Sequence, residues 1–332
     1  MKTIIKKIIK AILPVAVYKC IINLLSFYHT VKPNANVVFA PLRYLLFIRK
    51  SDKYLLCRPG GGLNDTLCRV ELCCRYAFKY RRKIFIETSH SSFRDDLEKY
   101  FILPSYMSTK IIDFIQYPAS VYPSCLKNDI YNYEVISTPE GRKIKDGPYP
   151  QFDFNRKYDE QYLIYDNYGG GEYSIYFMKR IRLEESLRLH IVSTINKLGN
   201  YAAVHIRHDP RHYQTDYEPF LNNIRENLIH DHIVVCTDSY EVQQYSKTLF
   251  GDRLIVPTDI PDTHDIPLVN YVSDSYDKYR ANVDAITDIF ILACSDKLYT
   301  TNIIQGQSGF TGLAINLHKR KKLIKKLLSG ES

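Results

Sequence analysis

Ala202-Ala203-Val204-His205-Ile206-Arg207 reads as a buried strand that ends in polar residues. The chain then alternates. A helical pattern over 217–228 leads to His232-Ile233-Val234-Val235-Cys236, a strand ending at Thr237-Asp238-Ser239. A helix over 240–249, the strand Arg253-Leu254-Ile255-Val256 and a helix over 281–294 follow. Lys297-Leu298-Tyr299-Thr300 is the next strand, and Ser308-Gly309-Phe310-Thr311 opens a last helix. Strands separated by helices predict an α/β fold with a doubly wound parallel sheet. Ligands bind beyond the carboxyl ends of such strands. His205, Arg207, Asp238 and Ser308 are therefore expected on one rim.

The residue types suit an anion. His205 and Arg207 are two apart in an extended chain, so both point to one side. The arginine fork fits phosphate oxygens, and the histidine can hydrogen-bond a base or a phosphate. Ser308 to Thr311 sit where helix N–H groups point outward and the dipole favours negative charge. The plain alternative for Ser308 is an ordinary N-cap. Asp284 and Asp288 lie four apart on one helix face, placed to accept from ribose hydroxyls or guanine N–H groups. Their alternative is a solvated helix face.

The first half opens with a second unit. The strand Lys53-Tyr54-Leu55-Leu56-Cys57 leads into Arg58-Pro59-Gly60-Gly61-Gly62-Leu63-Asn64-Asp65. A periodic helix and the strand Lys83-Ile84-Phe85-Ile86-Glu87-Thr88 complete a βαβ unit. The glycine run lacks dinucleotide-fingerprint and P-loop spacing. It is either a tight turn or a place where backbone approaches a phosphate or sugar. Residues 35–48 look like strands, and 95–160 predict short strands and loops. Asp166-Asn167-Tyr168-Gly169-Gly170-Gly171 reads as a flexible break, and 174–198 as one long helix.

Length and composition set limits. At 332 residues and 45% hydrophobic, two domains are expected. The divisions are 31–170, 171–316, a leading helix 1–30 and a basic tail 317–332. The net charge of +9 resides largely in the two ends, which argues against a nucleic-acid groove. Residues 1–28 alternate isoleucines with lysines, but Pro14 and Lys19 interrupt the apolar run short of the roughly 20 residues that span a bilayer. The reading is a basic amphipathic helix on an anionic membrane surface, with a spanning or signal segment and an ordinary helix as alternatives. Leu323, Ile324, Leu327 and Leu328 among lysines repeat that pattern. Eight scattered cysteines lack Cys-x-x-Cys spacing, so free buried thiols and a cytoplasmic, membrane-peripheral protein are expected. No Asp-x-Asp occurs, and His205, His208 and His212 lack a completing carboxylate or cysteine, so no metal is expected.

Together these segments resemble the fucosyltransferase superfamily of GT-B fold, with its α-1,6-, nodulation, α-1,2- and protein O-fucosyltransferases. Gly60-Gly61-Gly62-Leu63-Asn64-Asp65 is similar to its Gly-Gly-Leu-Gly-Asn opening. Val204-His205-Ile206-Arg207-His208-Asp209 is similar to its His-x-Arg-Arg motif. Val235-Cys236-Thr237-Asp238-Ser239, Asp288 to Asp296, and Ser308-Gly309-Phe310-Thr311 match its later donor segments. His208 stands where the family has a second arginine, and Asp209 and Pro210 also depart from the pattern. The resemblance implies two Rossmann-like domains facing a cleft, 31–170 on the acceptor side and 171–316 binding the nucleotide sugar. It also implies a GDP-sugar donor, usually GDP-fucose, and metal-independent inversion onto a glycan or lipid-linked oligosaccharide. By position, Arg207 and Ser308 would hold the diphosphate, while His205 and Asp288 would contact guanosine. Gly61, Gly62, Asn64, Asp238, Ser239, Gly309, Phe310 and Thr311 would complete the binding surface. Candidates for the general base are Asp209, His208 and Glu87. A non-catalytic nucleotide-sugar or glycan-binding protein and a nucleic-acid-binding protein are the alternatives.

Overall fold

A computed structural model describes residues 51–330 except 90, 111–119, 128–135, 139–140, 145–146, 150, 210–214, 265, 267, 269–270, 272, 274–275 and 302–307. The readings of 1–30, of 35–48, and of Pro210 and His212 lie outside the described residues. The first half starts with β1 (Tyr54–Pro59), an apolar run buried over nearly its whole length. Helix α1 (Leu63–Tyr80) follows, then β2 (Lys83–Ile86). Short strands β3 (Phe101–Ile102), β4 (Met107–Ser108) and β5 (Val121–Tyr122) come next. A small antiparallel sheet holds β6 (Ile136–Thr138), β7 (Gly141–Ile144) and β8 (Gly147–Pro148). Then β9 (Tyr162–Asn167) returns to pair with β1. The resulting sheet is parallel throughout, in the order β4-β2-β1-β9-β5. Runs of buried aliphatic residues are what a sheet covered on both faces demands.

The chain crosses over through α2 (Ser174–Met178), β10 (Arg182–Leu183) and α3 (Glu185–Leu198). The single helix expected over 174–198 is thus divided. Arg182 and Leu183 pair antiparallel with Ile102 and Phe101. Glu184 then restarts the helix by accepting from the N–H groups of Ser186 (2.8 Å) and Leu187 (3.2 Å). The expected break at 166–171 also differs. Asp166 and Asn167 complete the β9 ladder opposite Arg58 and Pro59. The glycines beyond are bound to α1: Asn64 Nδ2 donates to Gly171 O at 3.3 Å, and Arg69 donates to Gly169 O.

The second half runs β11 (Tyr201–Ile206), α4 (Tyr217–Asn227), β12 (His232–Thr237), α5 (Tyr240–Phe250), β13 (Leu254–Ile255), α6 (Lys278–Cys294), β14 (Lys297–Thr300) and α7 (Gly309–His318). Its four strands are parallel, in the order β13-β12-β11-β14. The path goes one way from β11 to β13 and then jumps back to β14. The winding therefore reverses between β11 and β14, the place where such sheets open a ligand crevice. Side chains alternate across the sheet. Ala202, Val204 and Ile206 join Leu221, Ile224 and Val242 on one face. Tyr201 and Ala203 join Ile191, Phe290 and Leu313 on the other. Helix α6 is buried over Ile286–Ala293, with Phe290 at 0% exposure. Truncating a side chain so placed costs about 3–5 kcal/mol.

The last helix, α8 (Lys321–Ser329), turns its apolar face inward. Leu323, Ile324 and Leu327 are buried, and Arg188 Nη1 donates to Leu328 O at 2.8 Å. The face read as membrane-seeking in the tail 317–332 is occupied by protein, because it completes the shared core. That core is one continuous cluster from Leu55 to Leu327, so it passes through the division expected at 170/171. Among the described residues no helix is long and apolar enough to cross a membrane.

Candidate functional site

The carboxyl ends of both sheets face a cavity of about 470 Å³. From the first half come Gly62, Leu63, Asn64, Asp65, Ser92 and Phe93. From the second come His205 and Arg207 at the end of β11, Thr237 and Asp238 at the end of β12, and Ser308, Gly309 and Phe310 at the start of α7. Helix α6 adds Lys278, Asn282, Asp284 and Asp288. This is the convergence expected from the strand order. It arises because β11 and β12 are neighbours and α7 begins beyond β14, on the far side of β11.

His205 is buried and neutral. Its Nδ1 shares a 2.7 Å hydrogen bond with Thr311 Oγ1, and its ring stacks on Phe310 at 5.0 Å and 26°. Burial, with the Arg207 charge second, lowers its pKa to about 3. Thr311 thus acts behind His205 and away from the cavity surface. Arg207 pairs with Asp238, whose Oδ1 also accepts from His208 N at 2.9 Å. Burial raises the Asp238 carboxyl, and Arg207 opposes that shift.

At the other end, Asp288 accepts from Thr258 Oγ1 at 3.0 Å. Burial lifts its pKa to about 7, the Thr258 bond opposing and nearby Asp284 adding to the rise. Asp284 is also raised by burial, partly offset by Arg280. The cavity therefore has a cation and a helix N-terminus on one side and acceptor carboxyl groups on the other. Both predicted α6 carboxylates face it, which excludes the plain solvated face.

Several expected site residues lie elsewhere. His208, Asp209 and Ser239 line a separate hollow of about 280 Å³ with Asp262 and His264. Among the described residues only Asp238 borders both spaces. His208 is held there by its own backbone bond to Asp238, by Thr215 N donating to its Nδ1 at 3.3 Å, and by an edge contact with Tyr217. Ser239 caps α5 by accepting from Val242 N at 3.4 Å. Glu87 is paired with Arg58 outside the cavity. Gly61 stands behind Gly62, with φ +92° and its carbonyl accepting from Ser92 N at 3.2 Å. Asn64 lines the cavity while accepting from Ser174 Oγ at 2.6 Å. Ser308 is the N-cap residue of α7, and its side chain makes no capping hydrogen bond.

Other lining groups carried no sequence signal. Asn282 bridges the halves, its Nδ2 donating to Phe93 O at 2.9 Å and to Tyr100 Oη at 3.2 Å. Lys278 brings a second positive charge. Asp65 stands in the Gly60–Asp65 motif, where the sequence assigns it no role of its own. Its position beside the conspicuous glycines was the available clue. Among the described residues no group of three or more His, Cys, Asp or Glu is arranged to hold a metal ion.

The sequence matches no family model and no curated protein. The fold does have solved counterparts. The α-1,6-fucosyltransferase NodZ soaked with GDP-fucose superposes with a TM-score of 0.53 at 15% identity, covering 80% of this chain and 92% of that one. NodZ co-crystallized with GDP gives the same values. Fucosyltransferase NodZ from Bradyrhizobium gives a TM-score of 0.55 at 15% identity, covering 80% and 93%. The chain shares their GT-B-like α/β architecture.

Proposed function

We propose that this chain is a glycosyltransferase of the fucosyltransferase type, moving a sugar from a GDP-sugar donor, fucose in the first instance, to a glycan acceptor. The observation that carries this reading is the meeting of Arg207 and the α7 N-terminus with half-buried Asp284 and buried Asp288 in one cavity between the two sheets. Arg207 and the outward N–H groups of Ser308 and Gly309 suit a diphosphate. The carboxyl groups suit the N–H edge of guanine. Uncharged His205 offers a hydrogen bond without a charge that must be matched. Likeness to structures of NodZ holding GDP-fucose or GDP supports the same donor.

In this reaction an acceptor hydroxyl attacks the sugar C1 as GDP departs with inversion. Negative charge grows on the β-phosphate, and Arg207 exchanges its Asp238 partner for that charge. A cation and helix N-terminus already aimed at the developing charge are the stabilisation such a transition state needs. No step draws on a metal. The proposal extends to a lipid-linked acceptor at the inner membrane face, supported by the basic, isoleucine-rich sequence of 1–30. It also extends to two lobes, 31–170 and 171–316, that pack on one shared core.

A purely nucleotide-sugar-binding protein is the second reading, because His208 and Asp209 line a different hollow. A thermal-shift and GDP-release screen against GDP-, UDP- and CMP-sugars tests both. Stabilisation by GDP compounds with GDP release is the expected result. Stabilisation without release selects the binding protein, and stabilisation by UDP compounds alone overturns the donor assignment.

A further inference from the structure

Three glycine segments, far apart in sequence, close around one carboxylate. Asp65 is the third residue of α1. A Cβ on Gly61 would lie 2.6 Å from its Oδ2, and one on Gly170 would lie 2.6 Å from its Oδ1. A Cβ on Gly309 would come within 3.3 Å of Oδ1 and 2.7 Å of Asn64 Nδ2. Real side chains do not tolerate such approaches, so these three backbones leave space that the carboxyl group fills. An acid in the first helical turn stabilises the helix dipole wherever it points. That role does not require glycine on two other segments.

The carboxyl group also borders the cavity. Among the described lining residues it is the only carboxylate on the first half's side; Asp238, Asp259, Asp284 and Asp288 all come from the second. It lies beside Gly309, where α7 begins and the donor diphosphate is placed by the reading above. A sugar joined to that diphosphate has its C1 within a few bonds of this point. The other base candidates are removed from it: His208 and Asp209 line the separate hollow, and Glu87 pairs with Arg58.

We infer that Asp65 is the general base of the transfer, accepting the proton of the attacking acceptor hydroxyl. This rests on the glycosyl-transfer reading. As the acceptor oxygen bonds to C1, its proton passes to an Asp65 oxygen. The C1–O bond to the β-phosphate breaks, and its electron pair leaves with GDP toward Arg207 and the α7 N-terminus. Burial raises the Asp65 carboxyl above its ordinary range, while the Asn64 hydrogen bond and the Arg69 charge on the same helix limit the rise. A raised carboxylate is a stronger base.

The test uses the full chain with GDP-fucose, water as acceptor, and sodium azide, a nucleophile with no proton to lose. Asp65→Asn keeps the shape of the side chain. It is expected to lower GDP release by about 100-fold or more while GDP affinity, read by calorimetry, stays within about 3-fold of wild type. Azide should then restore GDP release by the variant and yield the inverted glycosyl azide. GDP release by Asp65→Asn within about 3-fold of wild type would overturn the assignment. So would a loss of GDP affinity of about 10-fold or more with no azide rescue, since that marks a role in donor binding. Wild-type protein that neither binds GDP nor releases it from GDP-fucose overturns the underlying glycosyl-transfer reading, and the base assignment falls with it.

Discussion

The two rims facing each other across the cavity are built by different means. The first-half rim depends on backbone: Gly61 and Gly170 make room, and one carboxylate occupies it. The second-half rim is made of side chains placed by strand ends: His205 and Arg207 on β11, Asp238 beyond β12, Asp288 on α6. Their ion pairs differ in the same way. Glu71 of α1 is 0% exposed and takes Arg180 at 2.6 Å and Arg75 at 2.9 Å, away from the cavity lining. Arg207 pairs with Asp238, an acid that keeps 18% side-chain exposure, and both line the cavity. Arg75 and Arg180 are used in holding a buried acid, and Arg207 is placed to change partners. Exchange with a ligand requires a charge that is paired yet still reachable.

This contrast can be broken most sharply at Arg207. Arg207→Ala should lower donor turnover by about 100- to 1000-fold while the protein stays folded. Near wild-type kcat/KM with GDP-fucose would remove Arg207 from the chemistry. Next comes the seam. Gly309→Ala should destabilise by about 1–3 kcal/mol in denaturant melts, since the new Cβ meets Asn64. Three residues along the same helix, nothing lies within 4 Å of a Cβ on Gly312. Gly312→Ala should therefore stabilise by about 0.5–1 kcal/mol. Equal effects of the two substitutions would show that the rims do not press on each other.

Asp288 gives a smaller effect that depends on pH. Its folded pKa of about 7 lies above the ordinary 3.8. The folded state then holds a proton that the unfolded chain releases, so stability falls as pH rises through that window. Asp288→Asn should melt higher than wild type at pH 8, with the gap closing toward pH 4, and should weaken GDP binding about 10-fold. A pH-independent gap would contradict the buried, protonated carboxyl. The smallest effect belongs to His205, whose folded pKa of about 3 lies below 6.5. Here the unfolded chain takes the proton, and stability is lost as pH falls below about 6.5. His205→Gln should flatten the melting-temperature profile between pH 7 and pH 4.

Much of this was legible in the chain itself. The apolar runs ending in His205 and Asp238 are buried strands because a parallel sheet covered on both faces needs continuous aliphatic residues, a requirement met locally. The i, i+2 spacing of His205 and Arg207 likewise put both on the cavity side. Residues 174–198 could not be divided from local pattern, because the interruption is made by pairing with Phe101 and Ile102, some 80 positions earlier. The basic tail misled for the same reason: an amphipathic face has the same pattern whether lipid or protein covers it, and here the shared core does. Sequence alone therefore determined the winding of the second sheet and its charged strand ends, since both follow from periodicity over a few residues. Tertiary structure alone decided which hollow His208 and Asp209 face, and what the glycines are for. The space left at Gly61, Gly170 and Gly309 has meaning only when α1, the loop after β9 and the start of α7 are brought together around Asp65.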